Sequence, residues 1–173
     1  MKRILSLLLA ALFLGSALSA CSPQEPEKPP LTAQERTQLY QTAIEDAAGP
    51  SANSFVEIVT SSEDEMAEMI LMMLGLEAED MSAFALAISP VNVQAYGIAA
   101  IYPAQGKEDD VLEALNGFID NQKESFQQYL EEEYETASNT RLETLEDGTV
   151  LMVMVQEQDT VFDAIRDAIE AAA

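Results

Sequence analysis

The chain contains no histidine, and its single cysteine is Cys21. Together these facts exclude histidine-based triads and the usual zinc ligand sets, and they leave no second thiol for a disulfide. Carboxylates, hydroxyls and amines remain as the groups that could do chemistry. Acidic residues cluster at Glu77, Glu79 and Asp80, at Glu108, Asp109 and Asp110, and at Glu131, Glu132 and Glu133. A hard cation needs several oxygens on one turning loop. None of these runs has the alternating Asp-x-Asp-x-Asp-Gly spacing, so they read as solvated faces and helix starts. Two carboxylates across a groove would suit glycoside hydrolysis. With 31 acids and no tryptophan, such a pair carries no information here. Met66, Met69, Met72 and Met73 offer thioethers, which accept Cu(I). Core filling is the better account of them, because methionine packs adaptably. The residues therefore assign no catalytic group, metal or cofactor.

Cys21 is explained by its surroundings. Lys2 and Arg3 precede an apolar run from Ile4 to Leu14, and small residues follow. That order is a secretory signal. The run is short for a bilayer span, which needs roughly 20 residues. Leu18-Ser19-Ala20-Cys21 resembles the lipobox of bacterial lipoproteins. The resemblance implies diacylglycerol on the Cys21 sulfur and removal of residues 1–20. Two acyl chains anchor firmly where one binds reversibly. The alternative is an ordinary signal cut after Ser19.

Loss of Lys2 and Arg3 leaves six basic against 31 acidic side chains, a formal charge of −25. Such a surface excludes nucleic acid, whose phosphates need lysine and arginine. It disfavours anionic lipid and attracts cations or a basic partner at long range. Residues 22–30 read Ser-Pro-Gln-Glu-Pro-Glu-Lys-Pro-Pro, an extended stalk. At ~3.1 Å per residue it spans roughly 28 Å. Residues 31–173 then make one domain of ordinary size.

The elements of that domain follow from periodicity. Thr32 and Glu35 form a capping box before a helix that Gly49-Pro50 ends. Phe55, Val56, Ile58 and Val59 suggest a short strand. Ser62 to Glu65 suggests a second capping box, opening a helix with Met66, Met69, Ile70, Met73 and Leu74 on one face. Phe84, Leu86 and Ile88 alternate with Ala83, Ala85 and Ala87, and a second alternating strand runs from Val91 to Tyr102. A long amphipathic helix covers 108–130. Arg141–Leu145 and Val150–Val155 pair across the turn Glu146-Asp147-Gly148. Val150–Val155, apolar on both faces, belongs in the middle of the sheet. Val161, Phe162, Ile165 and Ile169 mark a last helix. The expectation is an α+β domain in which an antiparallel four-stranded sheet (β-β-α-β-β-α) carries its helices on one face, preceded by one or two N-terminal helices.

Ala95, the run Gln122-Lys123-Glu124-Ser125-Phe126-Gln127-Gln128-Tyr129-Leu130, Tyr134 and Gly148 carry a further resemblance. From about Met73 to the C-terminus the chain resembles an uncharacterised family of small lipoproteins from clostridia and related bacteria. It departs at Tyr96-Gly97, where the family pattern has acids. The resemblance implies a Gram-positive type of cell, with the lipid in the outer leaflet of its single membrane. Tyr96, Tyr102, Ser125, Phe126, Tyr129 and Tyr134 form a candidate recognition patch, or else a corner locking the long helix to the sheet. The expected function is a non-catalytic binding or interaction module at the extracytoplasmic face of the cell membrane. Alternatives are a structural or accessory subunit of an envelope complex and, third, an enzyme.

Overall fold

A computed structural model describes residues 29–53 and 56–172. Leu18, Ser19 and Ala20 of the expected lipobox, Cys21 as the expected anchor, most of the expected stalk and Phe55 lie outside the described residues. Among the described residues five α-helices and one sheet follow in the order α1 (Ala33–Asn53, broken by a non-helical Gly49 where the sequence places its end), α2 (Ala67–Leu74), β1 (Met81–Ile88), β2 (Gly97–Pro103), α3 (Glu108–Phe126), α4 (Glu131–Ser138), β3 (Arg141–Thr144), β4 (Val150–Met154) and α5 (Gln158–Ala172). No helix among the described residues is long and apolar enough to cross a membrane.

The four strands are antiparallel in the order β1-β2-β4-β3. Two hairpins meet side by side, and α3 with α4 carries the chain from β2 across to the edge strand β3. Strand β4 is an inner strand and is buried along its whole length, as its unbroken apolar run requires.

The α+β class and the four-stranded antiparallel sheet agree with expectation, but the helices lie on both faces rather than one. Phe84, Leu86, Ile88, Ala99, Ile101, Val150 and Met152 pack with α2 and α3. Ala83, Ala85, Ala87, Ile98, Ala100, Leu151 and Val153 pack with α1 and α5. The reason is physical. Strands apolar on both sides need two covers, and the alanine row lets α1 approach β1 closely.

Several local boundaries also differ. Residues 62–66 are turns, and α2 starts at Ala67. Asp64 instead accepts the amides of Thr60 and Ser61 at 2.9 and 3.1 Å, so it caps the turn before the helix. The buried stripe of α2 is accordingly Ala67, Ile70, Leu71 and Leu74. Met66 and Met73 pack half-buried on the core, while Met69 and Met72 are exposed. Val59 contributes one bridge to Leu86 rather than a strand. Strand β2 begins at Gly97, and residues 91–96 form a loop.

Two carboxylate caps respond to acid. Glu35 accepts the Thr32 amide at 2.8 Å, and Asp80 accepts the Glu77 amide at 2.9 Å and the Lys107 ammonium at 3.1 Å. The Thr32 backbone bond, then its hydroxyl, holds Glu35 below its ordinary pKa. The Glu77 backbone bond, opposed by burial and aided by Lys107, lowers Asp80. The unfolded chain therefore takes up these protons at higher pH than the folded one. The stabilisation is complete above the unfolded pKa values, about 4, and is lost as pH falls through the folded ones. Acid also relieves the repulsion of a net negative surface. The caps are thus read as a difference: Glu35→Gln with Asp80→Asn should lower Tm at pH 7 and lose that effect in strong acid.

Candidate functional site

The strand ends Ile88, Gly97, Met154 and Arg141 lie at one end of the sheet. Here the β1–β2 loop, the start of α4, the β4–α5 connection and the last turns of α1 meet around a groove of about 260 Å³. Ala48, Ala95, Ile98, Val155 and Val161 give it an apolar floor. Gln94, Tyr96, Glu133, Gln156 and Glu157 give it a polar margin. A second depression of about 240 Å³ shares Gln156 and continues past Glu132, Glu135, Thr136, Asn139 and Gln158.

The loop that forms one lip is held at both ends. The Ser89 amide donates to the Tyr96 carbonyl at 3.0 Å, closing residues 89–96 into a loop. The Ala95 amide donates to Glu133 Oε2 at 2.6 Å, tying that loop to the first turn of α4. Tyr96 is half-buried in the groove, and burial alone raises its phenol above the ordinary value. On the outer side of the loop Val91 and Val93 are 56% and 68% exposed. Replacing Glu133 by alanine removes the partner of a buried amide, a loss of about 1–3 kcal/mol locally. The expected result is faster hydrogen exchange at residues 91–96, with the exchange of β4 unchanged.

The opposite end of the sheet carries a different cluster. Arg36 pairs with Asp147 on the β3–β4 turn, donates to Tyr40 Oη at 3.4 Å, and lies 3.9 Å above the Tyr102 ring. Tyr40 Oη shares a 2.6 Å bond with Thr149 Oγ1, and Asp147 Oδ1 accepts the Thr149 amide at 3.0 Å. Burial opposes the charge on Arg36, but the bonds to Asp147 and Tyr40 outweigh it, so its pKa is raised. Burial also raises Tyr40, against the pull of its hydrogen bonds. Every partner is internal, so this cluster fastens α1 to the sheet.

The six patch residues do not share one surface. Tyr96 lies in the groove, whereas Tyr102 sits under Arg36 at the far end of β2, about 20 Å away at the rise of a strand. Phe126 is fully buried in the core, and Tyr134 packs half-buried against it. Ser125 and Tyr129 are exposed, Tyr129 at 86%. Phe126 and Tyr134 thus belong to the same core cluster, on the α3 and α4 side of the sheet. Glu132, Glu133 and Glu135 enter the site because α4 turns them toward the sheet end. The acidic triplet after Leu130, followed by Tyr134 and Ala137 at helical spacing, was the signal for that helix.

Among the described residues no group of three acids converges as a metal site would. All five described cations are already paired: Arg36 with Asp147, Lys107 with Asp80 and Asp110, Lys123 with Asp120, Arg141 with Glu143 and Asp163, and Arg166 with Asp163 and Asp167. None of them lines the groove.

A helical layer on each face of a four-stranded antiparallel sheet, with a groove at one sheet end, defines a small α+β domain. Residues 57–155, more than half of the chain, match the family model described as a domain of unknown function, DUF4358, and the chain belongs to that family. No curated protein and no solved structure matches the chain. The matched segment covers the sheet with α2, α3 and α4, and leaves out α1 and α5.

Proposed function

We propose that the protein is an exported lipoprotein, held by diacylglycerol on Cys21 at the outer face of a cell membrane of the clostridial type, and that it is a non-catalytic binding module. The position of the groove carries the reading. The chain enters α1 at Thr32, and one turn later Arg36 is fixed to Asp147 at one end of the sheet. Ala48, near the other end of the same helix, lines the groove. Twelve residues of helix separate the two, about 18 Å at 1.5 Å per residue. Residues 29–32 thus lead into the domain at the end opposite the groove, which supports a site held away from an anchor at Cys21. Absence of histidine and internal pairing of the described cations support binding over catalysis.

A photo-cross-linking residue at position 96 in living cells tests this. An adduct there, absent from the same probe at position 102 and lost on Cys21→Ser release, supports a membrane-dependent groove contact. Adducts only from α2, where Met69 and Met72 are exposed, would support the accessory-subunit reading instead. Retention of the Cys21→Ser chain at the membrane would sink the anchor.

A further inference from the structure

We infer that the groove takes a basic segment of a partner protein, in which lysine or arginine alternates with apolar residues. This inference rests on the groove being the binding site. Four carboxylates, Glu132, Glu133, Glu135 and Glu157, stand along the two joined depressions, and among the described residues none forms an ion pair. The mature chain has six basic side chains against 31 acids, and the five that are described are bound elsewhere. Among the described residues no cation is left to supply counter-charge to this groove.

Charge alone would admit any cation, but the groove is not only charged. Its floor is apolar, and the Tyr96 hydroxyl has no hydrogen-bond partner among the described residues. A free polyamine would leave that apolar surface wet. An extended peptide presents side chains alternately to two sides. It can lay apolar groups on Ala48 and Val155 while its cations reach Glu157 and Glu132. Gln94 and Gln156 add polar groups to the same lining. Long-range attraction to a chain of this charge would speed encounter, and association should weaken with salt.

The test uses the chain from residue 21 onward with Cys21→Ser. The probe is a heptapeptide alternating lysine and valine, titrated into isotope-labelled protein. Shifts confined to residues 91–98, 131–136 and 155–161 are expected. Glu157→Gln should weaken Kd about threefold, and Glu132→Gln with Glu157→Gln about tenfold, as for partly exposed ion pairs. Glu133 is left intact because it holds the loop. Equal binding of a glutamate–valine peptide would overturn the cationic assignment while leaving the groove as a site. Spermine binding as tightly as the peptide would overturn the protein partner. Shifts of equal affinity around Glu108–Asp110 would reduce the effect to general attraction and overturn the inference. No shift overturns it too. A position-96 adduct formed in cells despite that result would leave the proposed function standing, and its absence would remove both.

Discussion

Replacing Arg36 by alanine is expected to lower the stability of the fold by about 3–5 kcal/mol, out of a total of about 5–15 kcal/mol for an ordinary domain. The side chains of Arg36 and Asp147 are 9% and 6% exposed, so truncation leaves a carboxylate in the interior with only the Thr149 amide to bond it. Tyr102 loses the guanidinium over its ring, and Tyr40 loses a donor. By contrast the pair Arg166–Asp167 is solvated, and its removal should leave stability almost unchanged. Tyr40→Phe strands the buried Thr149 hydroxyl and should cost about 1–3 kcal/mol. Because Arg36, Tyr40 and Asp147 form one network, their losses should not add. Urea unfolding of the single and double variants measures this. A loss below 1 kcal/mol for Arg36→Ala would mean that the pair behaves as a surface bridge.

That lock shows where sequence reading stops. Arg36 and Asp147 are 111 residues apart, and neither has a local pattern that names its partner. The elements themselves were legible wherever one period dominated. Phe84, Leu86 and Ile88 against Ala83, Ala85 and Ala87 reads as a strand, and Val161, Phe162, Ile165 and Ile169 as one buried helical stripe. The alanine row also held the clue to the second helical layer, since a strand apolar on both sides is covered on both sides. Helix α4 escaped notice because the stripe of α3 continues through Tyr129 and Leu130. The chain in fact turns there, with the Tyr129 and Leu130 amides both donating to the Phe126 carbonyl. With α4 unseen, Glu133 could not be set against Ala95, 38 residues earlier, and the groove had no second wall. Tyr96 alone among the patch residues marks it. Its neighbours there come from segments that only the hairpin register brings together.

The segment 57–155, which defines the family, is expected not to fold when made alone. Without α1 and α5 the sheet would present Ala83, Ala85, Ala87, Ile98, Ala100, Leu151 and Val153 to water, and all of them are at most 4% exposed in the intact domain. Each large apolar side chain uncovered forfeits about 1.5–3 kcal/mol. Ile98, Leu151 and Val153 alone would consume most of an ordinary margin of stability. Phe162→Ala in the intact chain opens part of the same face and should cost about 3–5 kcal/mol. The fragment should aggregate or give no cooperative thermal transition, whereas residues 31–173 should melt in one step. A dispersed amide spectrum from 57–155 would show that the second layer is an ornament rather than half of the core. If the fragment fails as expected, the family segment of this chain depends on α1 and α5 to close its second face. Residues outside that segment, Ala48 and Val161 among them, also complete the groove, so the face and the groove should be lost together when the flanking helices are removed.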